Sequence, residues 1–302
     1  MSRNPQTPRG QVRALISAMR PVQWVKNVLI GIAPAAAGQL HNAGVLRHTG
    51  AAFVSFCALS SAIYILNDLR DIGQDRLHPK KQYRAIASGE LSKSVAYAAS
   101  LVLAVIAFTI PFAIWHPQGL LLILGLYFVI SISYTLFLKQ VPVLEFGAVA
   151  SGFFLRAYAG AVASHIFVST WFLVVISFGA LFLVTGKRSS ELQSVGVSGT
   201  RKVLSEYTPQ FLHSALTMCA TVVVTGYCLW AFDTSSTGLS SVHHNIVPIR
   251  LTVIPVVFAI LFIMRSASAG NGQSPEDLVL HDRVVQVLGL IWIALVYIGI
   301  YG

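Results

Sequence analysis

Apolar residues run along this chain in nine stretches, at about 24–40, 51–69, 94–115, 118–138, 142–163, 168–186, 209–232, 246–265 and 284–301. A helix of about 20 such residues crosses the hydrocarbon of a bilayer. The pattern predicts an all-α polytopic membrane protein of nine transmembrane helices. Pro34, Pro111 and Pro255 fall inside runs, where a membrane helix tolerates a kink. Before the first run, Val12, Leu15, Ile16 and Met19 recur at helical spacing with Arg13 and Arg20 among them. That predicts an amphipathic helix lying in the interface. Residues 1–23 therefore read as an N-terminal arm and 24–302 as the membrane domain. The arm is polar and basic and has no apolar core of the kind a cleavable signal carries.

The segments between runs are unequal. Arg70–Lys93, Lys187–Thr208 and Ser266–Arg283 are long and polar, and most others are short. Long polar loops between closely spaced spans usually carry function. The two longest follow the second and sixth runs, which suggests equivalent halves on hydropathy spacing alone.

Composition sharpens the class. The chain is 55% hydrophobic and only 11% charged, against about 25% charged in soluble domains. Disorder is excluded, and a soluble enzyme would lack the polar residues to cover its surface. The net charge is +10, and 18 of the 21 Lys and Arg fall on one side if the N-terminus is cytoplasmic. Only Arg47 and Arg250 lie opposite, and Arg156 lies within a span. Such a bias reports topology and anionic lipid, so no nucleic-acid partner is expected. It predicts a multi-pass protein of the inner (plasma) membrane with cytoplasmic polar loops and an outer C-terminus. Asp68, Asp71, Asp75, Glu90, Glu191, Glu206, Glu276, Asp277 and Asp282 gather on the same side. Orientation does not require acids there, so a polar site is expected. Cys57, Cys219 and Cys228 sit in apolar runs without metal or disulfide spacing and read as small core residues.

Chemistry concentrates where the second run ends, at Asn67-Asp68-Leu69-Arg70-Asp71-Ile72-Gly73-Gln74-Asp75. On a continuing helix the three aspartates, at i, i+3 and i+7, share a face. They would repel unless a cation sat between them, and oxygen ligands suit Mg²⁺ bound together with substrate phosphate. Arg76, Lys80, Lys81 and Arg84 follow, so carboxylates for a metal stand beside cations for a diphosphate. Asn67 would orient the first carboxylate. Lys187, Arg188 and Glu191, followed by Glu206 and Tyr207, form a second candidate set, and topology anchoring explains their basic members equally well. Gln23, Lys26 and Asn27 place polar groups at membrane depth, beside Trp24 as an interfacial anchor. Tyr134, Lys139, Glu145 and Arg156 form the last set. Glu145 lies eleven positions before Arg156, too far along one helix to pair with it, so Arg156 is expected to face a cavity. Ser274-Pro275-Glu276-Asp277 reads as a helix start.

The run NDLRDIGQDRLHPKKQYRAIASG from Asn67 to Gly89 resembles the first signature of the UbiA superfamily of intramembrane prenyltransferases. Ala85 stands where that family commonly has Pro. RPVQWVKN at Arg20, the stretch from Tyr134 to Ala163, GKRSSEL at Gly186 and SPEDLVLHDR at Ser274 are similar to one branch, the decaprenyl-phosphate phosphoribosyltransferases of actinobacterial cell-wall synthesis. The loop after the sixth run offers Glu191 and Glu206 where prenyl-diphosphate users carry a second acidic signature. The resemblance implies transfer of 5-phosphoribose from 5-phosphoribose 1-diphosphate to decaprenyl (polyprenyl) phosphate, with release of diphosphate, in arabinan precursor synthesis. It implies Mg²⁺ on Asp68, Asp71 and Asp75, membrane lipids as surroundings, and leaves a homo-oligomer open. The substrates would meet Gln23, Lys26, Asn27, Asn67, Lys80, Arg84, Tyr134, Lys139, Arg156, Lys187, Arg188, Glu191 and Tyr207. Two other readings stand beside it: a UbiA-type prenyltransferase with an aromatic or haem acceptor, and a transporter or membrane scaffold.

Overall fold

The computed structural model describes residues 8–115, 118–195, 202–233, 245–268 and 282–302, and among them every regular element is helical. In chain order, α1 (Pro8–Met19) leads into a 3₁₀ helix (Pro21–Gly31) and α2 (Ile32–Ala36). Next come α3 (Ala43–Arg70), α4 (Ile72–Leu77), α5 (Lys93–Thr109), α6 (Gln118–Leu136) and α7 (Leu144–Ser164). Then come α8 (Thr170–Val195), α9 (Pro209–Phe232), α10 (Ile246–Leu251), α11 (Val253–Ser268) and α12 (Arg283–Tyr301). Among the described residues eight segments are long and apolar enough to span a bilayer: α3, α5 with the turn after it, α6 to α9, α10 joined to α11, and α12.

The first predicted span departs from expectation. It is not one α-helix over 24–40 but the 3₁₀ helix Pro21–Gly31 followed by the short α2. Arg20 breaks the chain with a left-handed backbone (φ 54°), and Pro21 opens the next element. A 3₁₀ helix rises about 2.0 Å per residue, so with α2 it covers about 30 Å, close to the hydrocarbon thickness. Three residues per turn also sort its side chains strictly. Val22, Val25 and Val28 point outward and are exposed. Asn27 and Ile30 are buried, and the Trp24 indole N–H donates to Ser61 Oγ of α3 at 3.0 Å. Trp24, expected as an interfacial anchor, thus binds inward to α3. Arg20, Gln23 and Lys26 take the third face.

α3 is the central helix. Asn42 caps it, its Oδ1 accepting from the backbone N–H of Gly44 and Val45. Every residue from Ser55 to Ile63 is buried, and Phe56 and Leu59 meet Ile30, Leu120, Leu124, Tyr127 and Leu155 in the largest core cluster. Gly160 of α7 permits the closest approach: a Cβ there would lie 1.8 Å from the Ile30 carbonyl oxygen. α1 packs Ala14 and Ala18 against Ile65, Ile86 and Leu91, and leaves Val12 and Ile16 exposed. Of the four apolar arm positions, only Leu15 and Met19 turn toward the protein. The second half has its own core, with Phe182 on α8, Leu216, Cys219 and Val223 on α9, and Ile260 and Ile263 on α11.

α8 runs nine residues past the predicted end, to Val195, so Lys187, Arg188 and Glu191 lie on a helix and not in a loop. Arg188, Ser189 and Ser190 are buried there; polar residues folded into a span look like a loop to a hydropathy reading. The Ser274–Asp277 helix start, Arg201 and the His243-His244 pair lie outside the described residues.

Candidate functional site

The charged end of the bundle is tied together by ion pairs. The helix that carries Asp68 stops at Arg70, and Asp71 (φ −90°, ψ 11°) turns the chain into α4. The turn leaves Asp68 and Asp75 beside each other and sets Asp71 apart from them. Asp68, 4% exposed, accepts from Arg20 and, at 3.0 Å, from Arg84 Nη1. The same Arg84 nitrogen donates to Asp75 Oδ2 at 2.8 Å, so one guanidinium bridges two buried carboxylates. Asp71 faces elsewhere and accepts from Lys139 Nζ at 3.2 Å on both oxygens. Arg70 donates to the Thr135 and Leu136 carbonyls that end α6, a cation where the helix dipole favours one.

Across the bundle, Glu145 at the start of α7 is 0% exposed and is gripped by Arg188 through Nε at 3.1 Å and Nη2 at 3.0 Å. Arg188 Nη1 also reaches Glu191 at 2.8 Å. Val143, just before α7, holds a positive φ of 66°. Its backbone N–H donates to the Tyr207 hydroxyl at 2.7 Å, and the Tyr207 ring stacks between Phe146 and Phe211. Burial raises the Tyr207 phenol above its ordinary range, so it stays neutral. Tyr207 therefore pins the chain before α9 to the turn that presents Glu145.

Between these two clusters lies a cavity of about 350 Å³. Of the residues singled out from sequence, Gln23, Lys26, Asn67, Tyr134, Arg156, Lys187 and Arg188 line it. Asn27 does not: it is fully buried and spends its amide on Arg156 and Cys57. Lys80 is exposed on the α4 side; outside the cavity lining, Arg84 and Lys139 donate to carboxylates, Glu191 accepts from Arg188, and Tyr207 accepts from the Val143 backbone. Among the lining residues not foreseen, three are arginine or tyrosine. Arg20 links the cavity to Asp68, while Tyr64 and Tyr127 add phenols to its lining. A tyrosine in mid-span carries a polar handle that needs a partner, and that was the available signal for Tyr127.

Among the described residues no group of three His, Cys, Asp or Glu side chains is drawn together as a metal site. The donor chemistry nevertheless fits a hard divalent cation: Asp68, Asp71 and Asp75 offer only oxygen. Arg84 stands where positive charge is needed between Asp68 and Asp75.

Comparison with known proteins agrees with this architecture. Residues 27–298 match the UbiA prenyltransferase family. The decaprenyl-phosphate phosphoribosyltransferase of Corynebacterium glutamicum is 38% identical over 300 residues, covering 98% of this chain and 89% of its own. That of Mycobacterium tuberculosis is 39% identical over 298 residues, covering 96% and 95%. A UbiA homologue from Archaeoglobus fulgidus bound to GPP and Mg²⁺ superposes with a TM-score of 0.68 at 18% identity, covering 95% of this chain and 98% of that one. The last likeness concerns the fold.

Proposed function

The chain belongs to the UbiA prenyltransferase family, and within it we propose that it is a decaprenyl-phosphate phosphoribosyltransferase. It moves 5-phosphoribose from 5-phosphoribose 1-diphosphate to polyprenyl phosphate and releases diphosphate. A lipid phosphate oxygen attacks ribose C1, the C1–O bond to diphosphate breaks with its electron pair, and a phosphodiester to C1 remains. The product feeds cell-wall arabinan synthesis in the relatives' branch, at the cytoplasmic face of the plasma membrane.

The observation that carries this reading is the state of the carboxylates on the α7–α8 wall. Glu145 and Glu191 are both spent on Arg188. A site for a prenyl diphosphate would want a second pair of free carboxylates there for metal. The wall presents the Lys187 ammonium to the cavity instead, a cation that suits a phosphate bound without metal. Asp68, Asp71 and Asp75 do not line the cavity, and Asp68 is joined to it through Arg20; they would hold Mg²⁺, which supplies charge neutralisation for a leaving diphosphate. Arg84 and Arg20 place positive charge at the same spot. No histidine lines the cavity among the described residues. None is needed, because a phosphate monoester is already largely dianionic at pH 7, with a second pKa near 6. The chain's work is to orient and to stabilise charge.

Membranes of an expressing host test this directly. Labelled 5-phosphoribose 1-diphosphate with polyprenyl phosphate is expected to yield labelled lipid and diphosphate in a Mg²⁺-dependent way. Transfer from a prenyl diphosphate to an aromatic acceptor, with no use of the phosphoribosyl donor, would overturn the assignment.

A further inference from the structure

Arg156 sits on α7 twelve residues beyond Leu144, about 18 Å along the helix from the charged end. It is 6% exposed, yet it lines the cavity. Its guanidinium has five N–H donors. Nε donates to Asn27 Oδ1 at 2.6 Å, Nη1 to the Gly152 carbonyl at 2.7 Å and Nη2 to the Tyr127 hydroxyl at 2.7 Å. The Tyr127 ring lies beneath it, 4.7 Å from its carbon. All three acceptors are neutral. Arg20, Arg84, Lys139 and Arg188 at the charged end are each paired with a carboxylate. Arg156 is not. Two of its N–H groups, one on each terminal nitrogen, have no partner among the described residues.

A buried charge without a counter-ion is costly, and a fold built only for stability would place an acid at position 27, within 2.6 Å of Nε. Asn27 is the neutral isostere of that acid. It cannot touch ligand, being fully buried, and its own amide N–H is fixed on Cys57 Sγ at 3.2 Å. Gly152 adds the room: a Cβ there would lie 3.1 Å from Nη1. The surroundings thus fix the guanidinium in place and leave its charge uncompensated.

We propose that Arg156 is the receptor for a phosphate monoester at the deep end of the cavity, with Asn27 and Tyr127 as positioning residues that orient it without neutralising it. This rests on the transferase reading for the identity of the ligand. Two substrates bring a phosphate monoester to this depth, the 5-phosphate of the donor and the phosphate of the lipid acceptor. Their shared chemistry, a dianion accepting paired N–H groups, is what the two unspent donors match.

The decisive variant is Asn27→Asp, tested with Arg156→Lys in purified full-length protein in nanodiscs. Binding of 5-phosphoribose 1-diphosphate, inorganic diphosphate and farnesyl phosphate is measured without turnover, alongside the melting temperature. Asn27→Asp supplies the missing counter-charge, so the protein should melt higher while affinity for one phosphate monoester falls at least tenfold. Arg156→Lys, which keeps the charge and loses the fork, should weaken the same ligand. Weaker 5-phosphoribose 1-diphosphate with unchanged inorganic diphosphate assigns the site to the sugar 5-phosphate. Weaker farnesyl phosphate with unchanged donor assigns it to the lipid. Wild-type affinity for all three ligands in Asn27→Asp, with or without a higher melting point, would reduce Arg156 to a helix staple and overturn the proposal. If the wild type transfers phosphoribose but Asn27→Asp binds as before, only the receptor falls. If the wild type transfers nothing but loses farnesyl phosphate on Asn27→Asp, the receptor stands and the transferase reading falls.

Discussion

The aspartates behave as individuals and not as a triad. Asp68 and Asp75 are buried and share Arg84, and removing the Asp68 charge would also leave Arg20 without its carboxylate. Asp71 is different. Its pair with Lys139 is partly exposed on both sides, 24% and 19%, and such a pair contributes at most about 1 kcal/mol. Asp71→Asn therefore separates metal binding from folding. The expected outcome is a melting temperature within a few degrees of wild type and transfer reduced about a hundredfold at limiting Mg²⁺. Near-normal turnover under that condition would remove Asp71 from the metal site. The same distinction applies to Arg188. Its presence in a basic motif suggested phosphate binding, but two carboxylates already claim it.

At the scale of elements, the 3₁₀ helix organises the site. A three-residue repeat sends Arg20, Gln23 and Lys26 to the cavity while Asn27 and Ile30 stay inside. An α-helix would rotate those sets apart by about 60° per step of three. What holds the segment against α7 is the absence of a side chain at Gly160, where an added Cβ would overlap the Ile30 carbonyl. Gly160→Ala must displace the segment, and with it Asn27 one turn earlier. The expected cost is about 1–3 kcal/mol of stability, read as a lower melting temperature, with transfer slowed more than tenfold. Gly147→Ala on the same helix meets nothing within 4 Å and serves as the control. Equal behaviour of the two variants would show that close packing at Gly160 does not position the site.

At the scale of the molecule, the ion pairs among α3, α4, α6, α7 and α8 collect at one end, and the clustered bases predict that this end is cytoplasmic. Ser94→Cys near the start of α5, and His41→Cys before α3 at the other end, test it in intact cells. Ser94 avoids Ser92, whose hydroxyl caps α5. The native Cys57 and Cys219 are buried and Cys228 is partly so. An impermeant thiol reagent is expected to label His41→Cys and spare Ser94→Cys, and the reverse pattern would invert the topology.

Hydropathy alone determined that this chain is a helical membrane protein, because about 20 apolar residues in a row have few other fates in water or lipid. Composition and the NDLRDIGQD run placed the chemistry at one end of the second span, since carboxylates and arginines at membrane depth are too costly to be idle. Tertiary structure decided the rest. How closely the first span approaches α7 depends on the missing side chain of Gly160. Whether Arg188 or Arg156 meets substrate depends on which has acids within reach, and Glu145, forty-three residues from Arg188 in sequence, supplies that answer only after α7 and α8 pack side by side. Local pattern reports what a residue needs; which partner satisfies it is set by contacts between distant parts of the chain.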